Sequence, residues 1–284
     1  MMSEFSKSIN NLTIPPFLYG TAWKEDQTER VVLQALTSGF TGIDTANQRK
    51  HYYEEGVGLA IQTFLKTNQI SRSDLFLQTK FTSRNGQDNR LPYDEFDTLT
   101  NQVKQSFANS LKHLNTDYID SYVLHGPTLM QGITSEDMEI WRAMEELVQS
   151  KQAKFLGISN VNIKQLETLY NHASIKPTFV QNRCFATTQW DNDVRLFCEE
   201  YQLIYQGFSL LTANHPYLIR PYMQSLAAKY AKTIPQITFR FALQIGMLPL
   251  TGTTNVKHMQ DDLEVGSFEL TPDEINHIEQ IAVS

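Results

Sequence analysis

The stretch Phe17-Leu18-Tyr19-Gly20-Thr21-Ala22-Trp23 decides between two folds that the rest of the sequence allows. It begins as a short apolar strand, and seven similar stretches follow it, most of them separated by amphipathic helical stretches. Buried parallel strands have this composition because helices cover them, either around a closed barrel or on both faces of an open sheet. An open sheet that binds a dinucleotide normally carries a G-x-G-x-x-G turn after its first strand, and this sequence has no such motif. We therefore predict an α/β protein with a (β/α)₈ TIM-barrel fold.

The predicted elements alternate along the whole chain. The strands are predicted at residues 17–20, 41–44, 75–80, 119–125, 155–159, 178–182, 203–208 and 247–251. The helices are predicted at residues 29–38, 54–67, 99–114, 135–150, 163–172, 194–201, 222–230, 235–245, 256–263 and 272–282. Gly39 is a candidate C-terminal cap, and Thr271 offers a capping hydroxyl. Because no Pro-, Gly- or Ser-rich linker interrupts the series, we expect residues 1–284 to form a single barrel domain.

Composition and charge narrow the class of protein. Hydrophobic residues make up 41% of the 284 residues and charged residues 19%, a balance that supports a large buried core. The formal net charge of -7 repels phosphate backbones, so we expect no nucleic-acid partner. No apolar run approaches the roughly 20 residues of a membrane-spanning helix, so we expect no membrane partner. Cys184 and Cys198 are too few for a disulfide framework, which favours the cytoplasm, and no metal-ligand spacing is present.

Three ionisable side chains stand at the ends of three successive predicted strands, namely Asp44, Lys80 and His125. In a barrel, these strand ends converge at the C-terminal mouth, where active sites lie. A Lys beside an Asp stays charged, and its field favours ionisation of a neighbouring phenol, which ordinarily titrates near ~10. A His can donate a hydrogen bond to a carbonyl oxygen and orient it. The loop after the second strand carries two candidate phenols, Tyr52 and Tyr53.

These residues lie in segments that resemble the aldo-keto reductase signature. The first is Gly42-Ile43-Asp44-Thr45-Ala46, followed by Tyr52, Glu54, Val57 and Gly58. The others are Gln78-Thr79-Lys80-Phe81, Val123-Leu124-His125-Gly126-Pro127, Leu156-Gly157-Ile158-Ser159-Asn160 and the stretch 233–246. They occur in the family's order over nearly the whole chain. The resemblance implies a (β/α)₈ barrel that binds a nicotinamide dinucleotide and reduces small carbonyl substrates, aldehydes and ketones, to alcohols.

The same resemblance implies roles for individual residues. Tyr52 is the implied general acid, with Lys80 lowering the pKa of the phenol and Asp44 holding Lys80. His125 is implied to orient the carbonyl group, and the implied substrate contacts are Trp23, Tyr52 and His125. The implied cofactor-binding residues are Gly20, Thr21, Asp44, Ser159, Asn160, Gln181, Phe208, Ser209, Leu211, Gly252, Thr253, His258 and Asp262. Within that set, Ser159, Asn160 and Gln181 are implied to hold the carboxamide, and Phe208 to stack on the nicotinamide ring.

The position of the catalytic tyrosine departs from the family's pattern. The interval between Asp44 and the tyrosine is longer than in most relatives. An alignment without a gap places His51 at the catalytic position, so the assignment depends on where a short insertion lies. Tyr52 is the phenol nearest to that position and is the predicted acid. Tyr53 is the competing candidate.

The loop predicted to bind the 2′-phosphate also departs from the family's pattern. Gly252 and His258 stand where many relatives carry a Lys and an Arg, which serve the 2′-phosphate through charge and fork geometry. Lys257 is adjacent and offers a replacement cation. We therefore expect NADP(H), with NAD(H) as the alternative cofactor.

Two further functional hypotheses come from other classes. A barrel of this kind can bind a nucleotide and act as a regulatory or partner subunit, since fold alone does not decide function. The intact set of Asp44, Tyr52, Lys80 and His125 favours catalysis, because a binding protein does not need all four. Lys80 can also be interpreted as a Schiff-base lysine of an aldolase-like barrel, but that chemistry needs a deprotonated amine, which a partner Asp44 disfavours.

Overall fold

The computed structural model describes residues 5–9 and 12–283 and contains a closed barrel of eight parallel strands. Two strands precede the barrel as an antiparallel hairpin, β1 (Lys7–Ile9) and β2 (Leu12–Ile14). The barrel strands are β3 (Leu18–Gly20), β4 (Gly42–Asp44), β5 (Phe76–Phe81), β6 (Ile119–Leu124), β7 (Ala153–Ser159), β8 (Phe179–Arg183), β9 (Ile204–Phe208) and β10 (Leu248–Thr251). The barrel closes where β10 pairs with β3. The predicted fold is confirmed, and every predicted strand boundary lies within two residues of the observed one.

The helices surround the barrel in the predicted order. They are α1 (Thr28–Ser38), α2 (Glu54–Asn68), α3 (Leu99–Leu114), α4 (Ser135–Gln149), α5 (Ile163–His172), α6 (Asn192–Glu200), α7 (His215–Leu218), α8 (Pro221–Tyr230), α9 (Ile234–Gln244), α10 (Val256–Leu263) and α11 (Pro272–Glu279). Only α7 was not predicted, because four residues are too short for a helical period to show. Within residues 5–9 and 12–283, no helix has the length and apolar character needed to cross a bilayer.

Local signals in the sequence account for several helix ends. Gly39 follows α1 with a φ of 112°, and its N–H donates to the carbonyls of Ala35 and Leu36. This left-handed conformation favours glycine, which has no Cβ. Before α11, the Thr271 hydroxyl accepts from the Glu274 N–H, and the Glu274 carboxylate accepts from the Thr271 N–H. Such a capping box satisfies two backbone donors that a helix start otherwise leaves without partners.

The barrel interior changes character from one end to the other. Strand side chains alternate in direction, so every second residue of a barrel strand points inward. At the N-terminal end these inward residues form an apolar cluster, which includes Phe76, Phe155, Phe179, Ile204 and Leu248. The hairpin, which was not predicted, packs Ile14 into this cluster and covers that end. Polar side chains therefore occupy the other end, at the carboxyl ends of the strands.

Candidate active site

A cavity of about 770 Å³ lies at the C-terminal mouth of the barrel. Its walls come from the ends of several strands and the loops that follow them, which is where the (β/α)₈ fold brings distant residues together. The predicted residues that line it are Gly20, Asp44, Tyr52, His125, Ser159, Asn160, Gln181, Phe208, Ser209, Leu211, Gly252, Thr253, His258 and Asp262. Lys80 lies beneath the cavity, and Thr21 and Trp23 lie outside its lining.

Asp44 and Lys80 form a buried ion pair at the ends of β4 and β5. Lys80 Nζ lies 2.7 Å from Asp44 Oδ1 and 2.8 Å from Asp44 Oδ2. It also donates to the Thr45 carbonyl oxygen at 2.8 Å, so all three ammonium donors have acceptors. Burial lowers the pKa of Lys80, while the contact with Asp44 opposes that shift. The pair places two compensating charges directly below the cavity floor.

Tyr52 reaches the cavity from a tight turn that precedes α2. The Gln48 carbonyl accepts hydrogen bonds from the backbone N–H groups of both His51 and Tyr52, each at 3.0 Å. The Tyr52 ring then lies between two other predicted groups. Lys80 Nζ is 5.4 Å from its centroid, and the His125 ring packs edge-on with 5.9 Å between centroids. The Tyr52 hydroxyl has no hydrogen-bond partner within residues 5–9 and 12–283, so it is available to a ligand.

Burial acts on the pKa of the Tyr52 phenol in the direction opposite to the effect expected of Lys80. Burial raises the pKa of Tyr52 above its ordinary value, and the negative charge of Asp44 raises it further. The ammonium of Lys80 does not offset this shift because Asp44 lies against it and compensates its charge. Tyr52 therefore keeps its proton near neutral pH, which suits a proton donor rather than a base.

The two neighbours of Tyr52 lie outside the cavity lining. Tyr53 is turned away at the start of α2, where Arg49 Cζ lies 4.5 Å above its ring. His51 stacks on Trp23 with ring centroids 3.9 Å apart, and the Trp23 side chain is 68% exposed. The geometry thus distinguishes three residues that the sequence left as alternatives for the catalytic position.

His125 follows β6 and presents its ring to the same part of the cavity. Its Nδ1 lies 2.7 Å from Thr82 Oγ1, and its carbonyl accepts a hydrogen bond from Asn160 Nδ2 at 2.8 Å. Burial and, to a smaller extent, the charge of Lys80 together lower the pKa of His125 to about 3. The imidazole is therefore neutral near pH 7 and carries a proton on one ring nitrogen. Thr82, which the sequence did not suggest, is the hydrogen-bond partner of the His125 ring.

Ser159, Asn160 and Gln181 form a polar ledge on the wall between β7 and β8. Asn160 Nδ2 donates to Ser159 Oγ at 3.0 Å, and the Asn160 backbone has a left-handed φ of 56°. Gln181 Nε2 donates to Asp44 Oδ1, whereas Gln181 Oε1 has no partner among the described residues. The Ser159 hydroxyl can donate to a ligand and the Gln181 amide oxygen can accept from it, as an amide group requires. The predicted carboxamide contacts fit the residues present.

Two glutamines beside this ledge were not predicted as site residues. Gln78 on β5 and Gln206 on β9 are fully buried, and both contact Gln181 or Asp44. A signal for them is present in the sequence, since each sits two residues from an apolar position of a buried strand and so points inward. Polar side chains at inward positions of a barrel call for buried partners.

The far end of the cavity carries two exposed basic residues and a buried acid. Lys257 and His258 are exposed on the first turn of α10, and Lys257 Nζ lies 2.6 Å from Asp261 Oδ1. A side chain at Gly252 would meet the Gly20 carbonyl oxygen at 3.2 Å, so this loop favours glycine. Asp262 is buried and accepts from Thr251 Oγ1 at 2.8 Å. Burial raises the pKa of Asp262 to about 7.

Thr21 does not line the cavity and instead contacts the backbone of Asp44. It is fully buried, and both its N–H and its hydroxyl donate to the Asp44 carbonyl oxygen, at 3.0 and 3.1 Å. It therefore fixes the backbone that carries Asp44. In the part of the chain that the structure describes, no group of three or more His, Cys, Asp and Glu side chains is arranged to hold a metal ion.

This cavity at the C-terminal mouth places the chain among the TIM-barrel enzymes. The chain belongs to the aldo/keto reductase family, whose sequence profile matches residues 17–283. It is 31% identical over 274 residues to an uncharacterized oxidoreductase of Bacillus subtilis, YtbE, covering 96% of this chain and 90% of that protein. It is 27% identical over 286 residues to an NADPH-dependent alpha-keto amide reductase of Saccharomyces cerevisiae, covering 93% and 85%.

Solved structures show the same relationship. The crystal structure of the Bombyx mori aldo-keto reductase AKR2E4 in complex with NADP aligns with a TM-score of 0.81 at 25% identity. The alignment covers 97% of this chain and 92% of that one. The chain is therefore an oxidoreductase of the aldo/keto reductase family, with the barrel architecture of its relatives.

Proposed function

We propose that the protein is an NADPH-dependent reductase of aldehydes and ketones, with Tyr52 as the general acid. One observation carries this proposal. Tyr52 lines the cavity, and its hydroxyl has no hydrogen-bond partner among residues 5–9 and 12–283, while its ring lies within 6 Å of both the His125 ring and the Lys80 ammonium. A protonated phenol in this position can hydrogen-bond a carbonyl oxygen and give it a proton as the bond is reduced.

The residues along the cavity fit a nicotinamide dinucleotide. Ser159, Asn160 and Gln181 would hold its carboxamide, and the half-buried ring of Phe208 would lie against the nicotinamide. When bound, the reduced cofactor supplies the hydride that the carbonyl carbon accepts. The yeast relative is named as NADPH-dependent, and the silkworm relative was crystallised with NADP. Lys257 and His258 line the far end, where the Lys257 ammonium offers positive charge and the His258 ring offers a hydrogen bond to a 2′-phosphate, which supports NADP(H) over NAD(H).

Each residue of the reaction end has a separate task. Tyr52 transfers its proton to the carbonyl oxygen. The neutral His125, with Nδ1 accepting from Thr82, presents Nε2–H to the same oxygen and orients the substrate. Lys80 and Asp44 together place a compensated pair of charges beneath the phenol, so the phenol keeps its proton until the carbonyl oxygen takes it.

The Schiff-base hypothesis has less support from the geometry. All three donors of the Lys80 ammonium are engaged, and the side chain lies beneath the cavity instead of lining it. A nucleophilic amine has to reach the substrate carbon. The two cysteines, Cys184 and Cys198, are buried free thiols, which supports the proposal that the enzyme works in the cytoplasm.

Oxidation of NADPH and of NADH, measured side by side with a reactive aromatic aldehyde, tests the proposal. We expect the wild type to turn over and to prefer NADPH, and Tyr52→Phe to lose at least about 100-fold in kcat. Tight NADPH binding by a wild type that does not turn over would instead favour the regulatory-subunit hypothesis. A borohydride trap that attaches the substrate to Lys80 would favour the aldolase-like one.

A further inference from the structure

Three buried glutamines form a continuous hydrogen-bonded layer beside Asp44. Gln78 comes from β5, Gln181 from β8 and Gln206 from β9, and none is more than 3% exposed. Gln78 Nε2 lies 2.8 Å from Gln206 Oε1, and Gln206 Nε2 lies 3.0 Å from Gln78 Oε1. Gln181 joins this pair through Nε2, which lies 2.9 Å from Gln206 Oε1 and 3.0 Å from Asp44 Oδ1. Gln78 Nε2 also donates to Asp44 Oδ1, at 2.7 Å.

The charge of Asp44 fixes the direction of every hydrogen bond in this layer. An ionised carboxylate only accepts, so Gln78 and Gln181 must both turn their NH₂ groups toward Asp44. The same two NH₂ groups face Gln206, which therefore has to present its carbonyl oxygen to them. The Gln206 NH₂ is then left facing the Gln78 carbonyl oxygen, where it donates. One buried charge thus orients three amides that would otherwise each have two possible settings.

Gln181 faces the cavity as an acceptor for this reason. Its Nε2 carries two hydrogens, of which Asp44 takes one and Gln206 takes the other. Its Oε1 has no partner in residues 5–9 and 12–283, and the side chain lines the cavity. A ligand group that contacts Gln181 has to bring a hydrogen-bond donor.

We propose that Gln206, supported by Gln78, is a positioning residue that makes Gln181 an acceptor-only contact and so selects a carboxamide on the pyridine ring of the cofactor. The inference rests on the proposed function, because it takes the nicotinamide to lie against Gln181. A carboxamide offers N–H to Gln181, whereas a ketone at the same ring position offers only an acceptor. Without Gln206, the second hydrogen of Gln181 Nε2 is free to turn toward the cavity and to donate to that ketone oxygen.

Calorimetric titration with NADP⁺ and with its 3-acetylpyridine analogue tests the proposal without any turnover. The analogue keeps the ring carbonyl and loses the N–H. We expect the wild type to bind NADP⁺ about 10-fold more tightly than the analogue, the worth of one hydrogen bond to an otherwise unpaired group. In Gln206→Met, which keeps the side-chain length, we expect the ratio of the two Kd values to fall to about twofold or less.

A matched control separates positioning from simple core filling. Ser121 is buried on β6, and its hydroxyl has no partner in the described part of the chain, so Ser121→Ala should keep the wild-type ratio. An unchanged ratio in a folded Gln206→Met would overturn the proposal. If that variant does not fold, Gln78→Met has to lower the ratio, because it removes the group that holds the Gln206 amide; an unchanged ratio there overturns the proposal equally.

The same titration distinguishes failure of this inference from failure of the proposed function. A wild type that binds NADP⁺ and its analogue equally well would overturn the acceptor-only role of Gln181 and leave the reductase proposal standing. A wild type that binds neither ligand would overturn both, since the cavity would then not be a nicotinamide site. NAD⁺ and its 3-acetylpyridine analogue, which lack the 2′-phosphate, are titrated in parallel. The result then does not depend on whether the protein prefers NADP⁺ or NAD⁺.

Discussion

The two ends of the cavity differ in how firmly the fold holds their charged groups. At the reaction end, Lys80 has three acceptors within 2.8 Å, and all of them come from β4 or the residue that follows it. At the far end, Lys257 and His258 stand exposed on the first turn of α10. Solvent screens exposed charges and leaves them mobile, whereas strand ends in a barrel fix buried ones. The reaction end is therefore pre-organised, and the far end acts through weak, adjustable charges.

The two buried aspartates that line the cavity, one at each end, also differ in the groups that surround their carboxylates. Asp44 and Asp262 are each 3% exposed. Asp44 has an ammonium nitrogen at 2.7 Å, whereas Asp262 has a hydroxyl group, Thr251 Oγ1, at 2.8 Å. Burial raises the pKa of Asp262 to about 7, so near neutral pH its buried charge is poorly compensated. The carboxylate at the reaction end therefore has an opposite charge beside it, whereas the carboxylate at the far end has a neutral hydroxyl group.

Removal of the cation at the reaction end should have the largest effect. Lys80→Met leaves Asp44 buried without an opposite charge, so we expect the free energy of unfolding to fall by about 3–5 kcal/mol. Urea unfolding measures this loss. Lys154→Met is the matched control at a second buried acid, Asp120, which keeps Arg72 at 2.8 Å. We expect that variant to lose about 1 kcal/mol or less. Equal losses of unfolding free energy in the two variants would contradict the view that Asp44 depends on Lys80 more than another buried acid depends on its cation.

Neutralising the far-end acid should have the next largest effect, and in the opposite direction. The pKa of Asp262 is raised in the folded state, so its favourable contribution is present at low pH and is lost as pH rises from about 4 through about 7. Asp262→Asn keeps an acceptor for the Thr251 hydroxyl and carries no charge. We expect it to exceed the wild type in stability at pH 8 by up to about 4 kcal/mol.

The pH dependence of that gain is what identifies its cause. Urea unfolding at pH 4.5 and at pH 8 should show a small difference between Asp262→Asn and the wild type at the lower pH and a large one at the higher pH. A difference of the same size at both pH values would mean that packing, and not the buried charge, separates the two proteins.

The exposed cations should have the smallest effect. Removing both Lys257 and His258 by substitution with Ala is expected to weaken NADPH binding by about 5-fold and to leave NADH binding unchanged, because exposed pairs are worth about 0.2–1 kcal/mol each. Added salt should shrink the difference further. Lys164→Ala, at an exposed position of α5 outside the cavity lining, is the control for net charge. A loss above 100-fold would mean that the far end is as organised as the reaction end.

The same contrast explains what the sequence reveals. All eight barrel strands were predictable, because short apolar stretches bounded by helical patterns are a strong signal of buried parallel strands. The convergence of Asp44, Lys80 and His125 followed from the fold alone, since each closes a strand. The hairpin of β1 and β2 was missed because each of its strands has three residues and β1 begins with the exposed Lys7 and Ser8.

The rest of the site depends on three-dimensional contacts that no local pattern encodes. The positions of Tyr52 and Tyr53 depend on the turn held by the Gln48 carbonyl, so the sequence left both open. Gln78 and Gln206 come from strands far apart in the chain and meet only when the barrel closes. The burial that raises the pKa of the Tyr52 phenol is also invisible in the sequence, which shows only the neighbouring Lys80.

The most direct test of the central claim is the single-turnover rate of NADPH oxidation with an aromatic aldehyde in Tyr52→Phe and in Tyr53→Phe. Single-turnover conditions isolate the chemical step from cofactor release. The two variants remove the same atom from adjacent residues, one of which lines the cavity. We predict that Tyr52→Phe loses at least about 100-fold in rate and that Tyr53→Phe stays within about threefold of the wild type. A large loss in Tyr53→Phe with little loss in Tyr52→Phe would contradict the assignment of the proton donor.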